Sequence, residues 1–237
     1  MTKRGKKYRK ALNNIKTNEM YSPREAVELA KENSTANFDE TMEIHIRMGI
    51  DPRKADQQVR SSVLLPHGLG KSVRVLAFVE GEGARIAEQA GADFISDQET
   101  IQKIKDGWSD FDAAIAVPEM MGTVGSLGKI LGPRGLMPNP KAGTVAPTED
   151  LPRLINEAKA GKIEFRLDKT ANLHAPIGKA SFSADNLFDN FMALFDAVRR
   201  AKPPAAKGNY FRRITLTTTM GPAIRIDPNL VEVEITD

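Results

Sequence analysis

The sequence of 237 residues suits one large domain or two small ones. Apolar residues make up 41% of it without a run of about 18, which excludes a transmembrane helix. The absence of cysteine excludes disulfides and thiol chemistry and fits a reducing cytoplasm. The net charge is only +3, yet residues 69–159 carry ten basic and thirteen acidic side chains, so the outer segments together hold +6. That asymmetry points to a polyanionic partner for the outer segments.

In chain order, residues 1–16 carry seven Lys or Arg and no acid. They do not read as a secretory signal, since no apolar segment follows MTKRGKKYRK. They read as a basic arm or a solvated tail. Ser22-Pro23-Arg24-Glu25 is a capping box with Pro at the first helical position, followed by Ala26, Val27, Leu29 and Ala30; Asn33 and Ser34 end this helix. FDETMEIHIRM (38–48) alternates, with Met42, Ile44, Ile46 and Met48 on one face and Thr41, Glu43, His45 and Arg47 on the other, as in a half-buried strand. Residues 63–65 suggest another strand before Pro66.

From Lys71 the pattern changes. VRVLAFV (73–79) is a near-continuous apolar run, as expected of a strand covered on both faces. Helix-like 84–90, the strand ADFIS (92–96), a helix over 99–105 and the strand FDAAIAV (111–117) follow, which argues for a small parallel sheet. GKILGPRGLMPNPKAGTV (128–145) reads as a stiff loop displaying Lys129, Arg134 and Lys141, and a helix over about 149–159 closes the region. After Gly161 alternation returns in IEFRLD (163–168). Residues 184–201 form an amphipathic helix whose Leu187, Phe188, Phe191, Met192, Phe195 and Val198 read as core. KPPAAKGN (202–209) is a connector, and FRRITLTTT (211–219) and LVEVEI (230–235) read as final strands.

Two segments of one character thus flank one of another. The expected architecture is an α/β chain of two domains: a discontinuous layered domain, residues 1–68 plus 160–237, with a βα domain, residues 69–159, inserted. HGLG (67–70) and AKAG (158–161) are the crossings. Gly68, Gly70 and Gly161 supply backbone freedom for a hinge on which the inserted domain swings.

No enzyme chemistry is legible. The three histidines, His45, His67 and His174, make no HExxH pair, so no metal or cofactor site is expected. LPHGLGKS (65–72) approaches a P-loop at Gly70-Lys71-Ser72, but Leu65 stands where the first glycine belongs, and a strand follows where the phosphate-binding helix should start. The 128–145 stretch lacks GxGxxG spacing, and its prolines remove amide donors. TLTTTMGP (215–222) places Thr215, Thr217 and Thr219 on one strand face with Arg213 in register. This is either a Thr-rich edge strand or a row of hydroxyls suited to ribose and phosphate, with Met220 and Gly221 allowing close approach.

LGKILGPRGLMPNPKAGTV, LLPHGLGK, DKTANLHAPIGKASF and TTTMGP, in this order, closely resemble the bacterial large-subunit ribosomal proteins of the mobile stalk, over essentially residues 6–235. The resemblance implies a Rossmann-like inserted domain without a nucleotide, and a discontinuous domain that binds the 23S ribosomal RNA stalk. It also implies assistance in releasing deacylated tRNA from the exit site, and repression of the protein's own operon mRNA. Contacts to other components of the large subunit, a cytoplasmic location in the ribosome, no membrane and no obligate homo-oligomer follow with it. The matching RNA-contact positions are Phe38, Thr41, Glu43 and His45, with Thr215, Thr217, Thr219, Met220 and Gly221; Arg213 stands in register with these. Lys169, His174 and Lys179 lie in a further family motif. Lys129, Arg134 and Lys141 are secondary candidates for RNA or tRNA. Asn37 stands where the family often has a base, which puts one phosphate contact in doubt.

The rival reading is a phosphate-ligand or nucleotide-binding enzyme built on the inserted domain. A third makes that domain a protein-docking module, since residues 80–120 hold ten acids against three bases; the same charge also serves simply to repel RNA.

Overall fold

The computed structural model describes residues 5–16 and 19–234; the readings of residues 1–4 and of Ile235 fall outside them. Helix α1 (Lys6–Asn13) opens the chain. Residues 5–16 are therefore largely helical and packed rather than a solvated tail: Tyr8, Leu12 and Ile15 recur at helical spacing, and Ala11 and Ile15 are buried. Helix α2 (Pro23–Glu32) carries the expected capping box, with the Ser22 hydroxyl and Glu25 side chain each bonded to the other's backbone amide.

Strand β1 (Thr41–Met48) is central to a sheet ordered β7-β1-β8-β9, with β7 (Asn172–Lys179), β8 (Phe211–Thr218) and β9 (Ile224–Ile226). Every neighbour in it is antiparallel. Strands β2 (Arg60–Leu64) and β6 (Lys162–Arg166) form a separate pair. One face of the four-stranded sheet buries Met42, Ile44, Ile46, Leu173, Ile214 and Leu216 beneath α2 and α8 (Ala184–Arg200). The stacked Phe191 and Phe195 of α8 belong to this core, and Phe195 meets Phe211 with ring centroids 4.3 Å apart. Alternation on β1, β7 and β8 then leaves the opposite face open.

The second compact unit, Lys71–Lys162, has its own core, whereas the first is built from the chain up to Gly70 and from Ile163 onward. Its parallel sheet, ordered β4-β3-β5, joins β3 (Val75–Phe78), β4 (Phe94–Ile95) and β5 (Ala113–Ala116). Helices α3 (Glu82–Gln89) and α4 (Gln98–Lys105) connect these strands. All four residues of β3 are buried, as the unbroken apolar run predicts. The chain is thus a mixed α/β protein in which a parallel and an antiparallel sheet are separately cored.

Two expectations fail. LVEVE is not a strand: helix α9 (Pro228–Glu234) occupies it. Asp227 accepts from the Asn229 amide, Pro228 opens the helix and Val231 is buried, so an N-terminal start signal overrides the short alternation. The 128–145 stretch is only in part a loop. Helices α5 (Met121–Ser126) and α6 (Gly128–Leu131) precede it and enter it, and α7 (Leu151–Lys159) follows. Leu131 is fully buried and Pro138 is also buried, so burial of apolar side chains fixes this stretch alongside proline stiffness.

Candidate nucleic-acid interface

Strand register assembles the open face row by row. His45 lies opposite His174 on β7 and Thr215 on β8, Thr215 opposite Arg225 on β9, and Arg47 opposite Asn172 and Arg213. At the other end Thr41 lies opposite Lys179, and Glu43 opposite Pro176 and Thr217. From Thr41 to Arg47 this face spans about 20 Å at the usual strand rise. It is open, polar and mostly cationic, the character of a surface for a nucleic-acid strand rather than a buried small molecule.

The Thr41 end is organised by a residue the sequence reading did not single out. Glu40 is fully buried. Its carboxylate accepts from the Met220 amide at 2.8 Å, the Ala36 amide at 2.9 Å and the Ser34 hydroxyl at 2.9 Å. Burial alone would raise its pKa, but these donors more than offset that and hold it below the ordinary glutamate range. Glu40 therefore clasps the loop after α2 to the loop after β8. Two apolar side chains stand exposed beside this clasp, Phe38 at 56% and Met220 at 59%, and they line one cleft together with Tyr8. An exposed aromatic and a methionine beside cations and hydroxyls make a platform on which a base can stack.

The threonine row is less free than its spacing suggests. Thr219 Oγ1 accepts from the Thr41 amide at 3.0 Å and lies 3.3 Å from the Thr41 carbonyl, extending the β1–β8 pairing past the strand end. Thr217 Oγ1 donates to the Thr218 carbonyl at 3.0 Å, close to the Gly221 carbonyl. These two hydroxyls shape the loop and retain lone pairs as acceptors, whereas Thr215 has no such tie. Thr218, between them, is buried; its hydroxyl lowers the Glu40 pKa from nearby without a hydrogen bond of ordinary geometry. A side chain at Gly221 would place Cβ 2.3 Å from that oxygen, so glycine lets the turn pass this close to Thr218. Lys179 Nζ donates to Thr41 Oγ1 at 2.8 Å.

At the centre of the face, His45 Nδ1 and His174 Nδ1 stand 2.7 Å apart, a distance that accommodates one shared proton. Burial and the neighbouring His174 push the His45 pKa down, against the pull of Glu43. Towards the Arg47 end, Asp168 anchors the turn into β7, accepting from the amides of Asn172 at 2.7 Å and Thr170 at 2.8 Å and from the Thr170 hydroxyl at 2.7 Å. Burial raises its pKa, but this set of donors lowers it far below the ordinary carboxylate range. The turn puts Ala171 in the left-handed region at φ 62° and presents Lys169 to a cleft shared with Arg47, Arg53, Lys54 and Arg212. Arg53, Lys54, Arg212 and Arg225 were not singled out from the sequence; only folding brings them to the margins of the face.

The other candidate residues lie elsewhere. Lys129, Arg134 and Lys141 are exposed in the second unit, where Arg134 donates to Ser109 Oγ and the Gly107 carbonyl. Gly68, Gly70 and Gly161 have φ of 64°, 68° and 102°, conformations suited to glycine. The HGLG segment is held by Asn190 of α8, fully buried, whose amide group donates to the Gly68 and Ile177 carbonyls and accepts from the His67 amide. Lys71, the would-be P-loop lysine, is paired with Asp112 at 2.5 Å. Among the described residues no cluster of His, Asp or Glu is arranged to hold a metal ion, and no helix is long and apolar enough to cross a membrane. A family model described as the ribosomal protein L1p/L10e family matches residues 30–222, well over half the chain.

Proposed function

We propose, from the premise that the chain belongs to the ribosomal protein L1p/L10e family, that the open face of the four-stranded sheet binds a stem-loop of large-subunit ribosomal RNA. Membership makes the protein a structural component of the large ribosomal subunit, located in the ribosome and with a structural rather than enzymatic role. The observation that carries the RNA reading is the junction held by Glu40. It sets Phe38 and Met220 beside Thr41, Thr219 and Lys179 at one end of a cationic strip.

In this reading Phe38 and Met220 take base or ribose faces, and the free backbone and hydroxyl oxygens of residues 217–221 accept from ribose 2′-hydroxyls. Arg47, Arg213 and Lys169 neutralise phosphates. Glu43 serves as an acceptor toward a 2′-hydroxyl, since a carboxylate repels phosphate. The same face, offered a similar stem-loop in the protein's own mRNA, competes for it and represses translation. The second unit, swinging on Gly68, Gly70 and Gly161, assists departure of deacylated tRNA from the exit site. The clearest test is direct binding: Met220→Ala and Phe38→Ala should each weaken affinity for the stalk stem-loop several-fold without lowering thermal stability. Wild-type affinity in both variants would remove the assignment.

A further inference from the structure

Of the basic N-terminal helix only Tyr8 enters the site just described, yet the position of the whole helix is specific. Gly5, Lys7 and Tyr8 line a cleft of about 440 Å³ with Ala36, Phe38 and Met220. Tyr8, Leu12, Ile15 and the ion-paired Lys16 and Glu19 line a second cleft, of about 380 Å³, with Arg213, Thr215 and Arg225. Tyr8 borders both, so α1 runs alongside the open face from its apolar end to its arginine rows. The helix and the turn after it are held there: Ala11 and Ile15 are buried, Asn14 Nδ2 donates to Asn33 Oδ1 at 3.0 Å, and the Lys16 amide donates to the Tyr21 hydroxyl at 2.9 Å.

The outward side is cationic and free of acids, with Asn13 beside the charges. Lys6, Arg9 and Lys10 are exposed, no acid occurs from Gly5 to Lys16, and none of these three cations makes an ion pair among the described residues. Lys6 repels Arg9 and Lys10 at three- and four-residue spacing, an arrangement that weakens a helix standing alone. Burial of the inner side keeps it folded, and a nearby polyanion would relieve the repulsion. The face beside it is where the RNA strand is placed by the reading above, on which this inference rests.

We propose that α1 is a second RNA-contacting element, a wall of cations that holds the phosphates flanking the stem-loop on the sheet irrespective of their sequence. The sheet end with Phe38 and Met220 then supplies selectivity, and α1 supplies salt-sensitive affinity. At eight residues the helix is about 12 Å long, enough to follow a few consecutive phosphates.

The test uses the full chain with Lys6→Gln, Arg9→Gln and Lys10→Gln combined. Glutamine keeps helix propensity at these exposed positions, and unchanged thermal melting would verify the fold. Affinity for the stalk stem-loop is measured from about 50 to about 400 mM KCl, a range in which phosphate contacts are strongly screened. The triple variant should bind at least tenfold more weakly at the low end, and its slope of log K against log salt should be shallower by about two to three. Met220→Ala should weaken binding at every salt concentration with the wild-type slope. A triple variant with the wild-type slope overturns the proposal for α1. If wild type does not prefer the stem-loop to an unrelated duplex, or Met220→Ala binds as tightly as wild type, the reading of the sheet face fails instead.

Discussion

Glu40 and the His45–His174 pair show how single residues set this surface. Glu40 occupies the buried parity of the strand that continues through Met42 and Ile44, so an acid at a core position was legible as an anomaly in FDETMEIHIRM. Its partners, 180 and four residues away, were not. Because its folded pKa is lowered, its contribution to stability is complete above the unfolded glutamate value and is lost as pH falls through the folded one. Glu40→Ala should therefore cost about 2–4 kcal/mol near neutral pH, with several buried donors left unpaired. It should also weaken RNA binding by releasing Met220. Urea titrations between about pH 3 and pH 7 should show a flatter stability profile for the variant than for wild type; equal profiles would contradict the role given to this carboxylate. The lowered His45 pKa has a second consequence. The free protein favours the neutral imidazole and loses that stability as pH falls through the ordinary histidine range, whereas a phosphate on the face favours the added proton. RNA affinity should rise on acidification from about pH 8 to about pH 6, around the histidine pKa. Converting both residues to Asn should abolish the rise, and fluorescence anisotropy across that range measures it.

At the scale of elements, what the sequence revealed depended on how local the determinant was. The α2 capping box, the alternation of β1 and β8 and the amphipathic pattern of α8 are set by neighbouring residues, and all three appear as expected. Helix α9 went wrong because LVEVEI satisfies a two-residue period while Asp227 and Pro228 start a helix. Strand β7 escaped detection because NLHAPIGK contains Pro and Gly; its Pro176 lies near a register shift in the β1 pairing and Gly178 packs against Leu187 and Phe182. The threonine row was legible, but its hydroxyl ties to Thr41 and Gly221 needed the loop geometry. That loop makes a sharp prediction. Gly221→Ala brings a methyl against the buried Thr218 hydroxyl, so either that side chain rotates or residues 219–221 shift. RNA affinity should fall by at least several-fold, with a stability loss of about 1–3 kcal/mol by calorimetry, the usual cost of overpacking. Asn190→Ala should show the opposite balance. Loss of a fully buried amide costs about 2–4 kcal/mol, while affinity of the folded protein for RNA changes less than twofold.

For the whole molecule, composition revealed an uneven charge distribution, and folding gives it a spatial meaning within the first unit. Arg47, Arg53, Lys54, Lys169, Arg212 and Arg213 come from four separate stretches of chain and line adjoining clefts. The inserted region carries the net acid and a core of its own, which fits a unit that does not hold the RNA. Replacing residues 71–162 by a short flexible linker should leave affinity for the stem-loop within a few-fold of wild type in filter-binding assays, and a collapse would assign the RNA to the inserted unit. The stretch that best identifies the family, 128–145, lies in that unit, so the residues that name the chain and those proposed to bind RNA are different.

Ultraviolet cross-linking shows whether the open face of the four-stranded sheet holds the RNA. Irradiating the full chain on the stalk stem-loop and mapping the linked peptides by mass spectrometry should place cross-links at Phe38, Met220 and neighbouring residues of 38–47 and 211–221. Cross-links confined to 128–145 or to the rest of 71–162 would place the RNA on the inserted unit and not on this sheet.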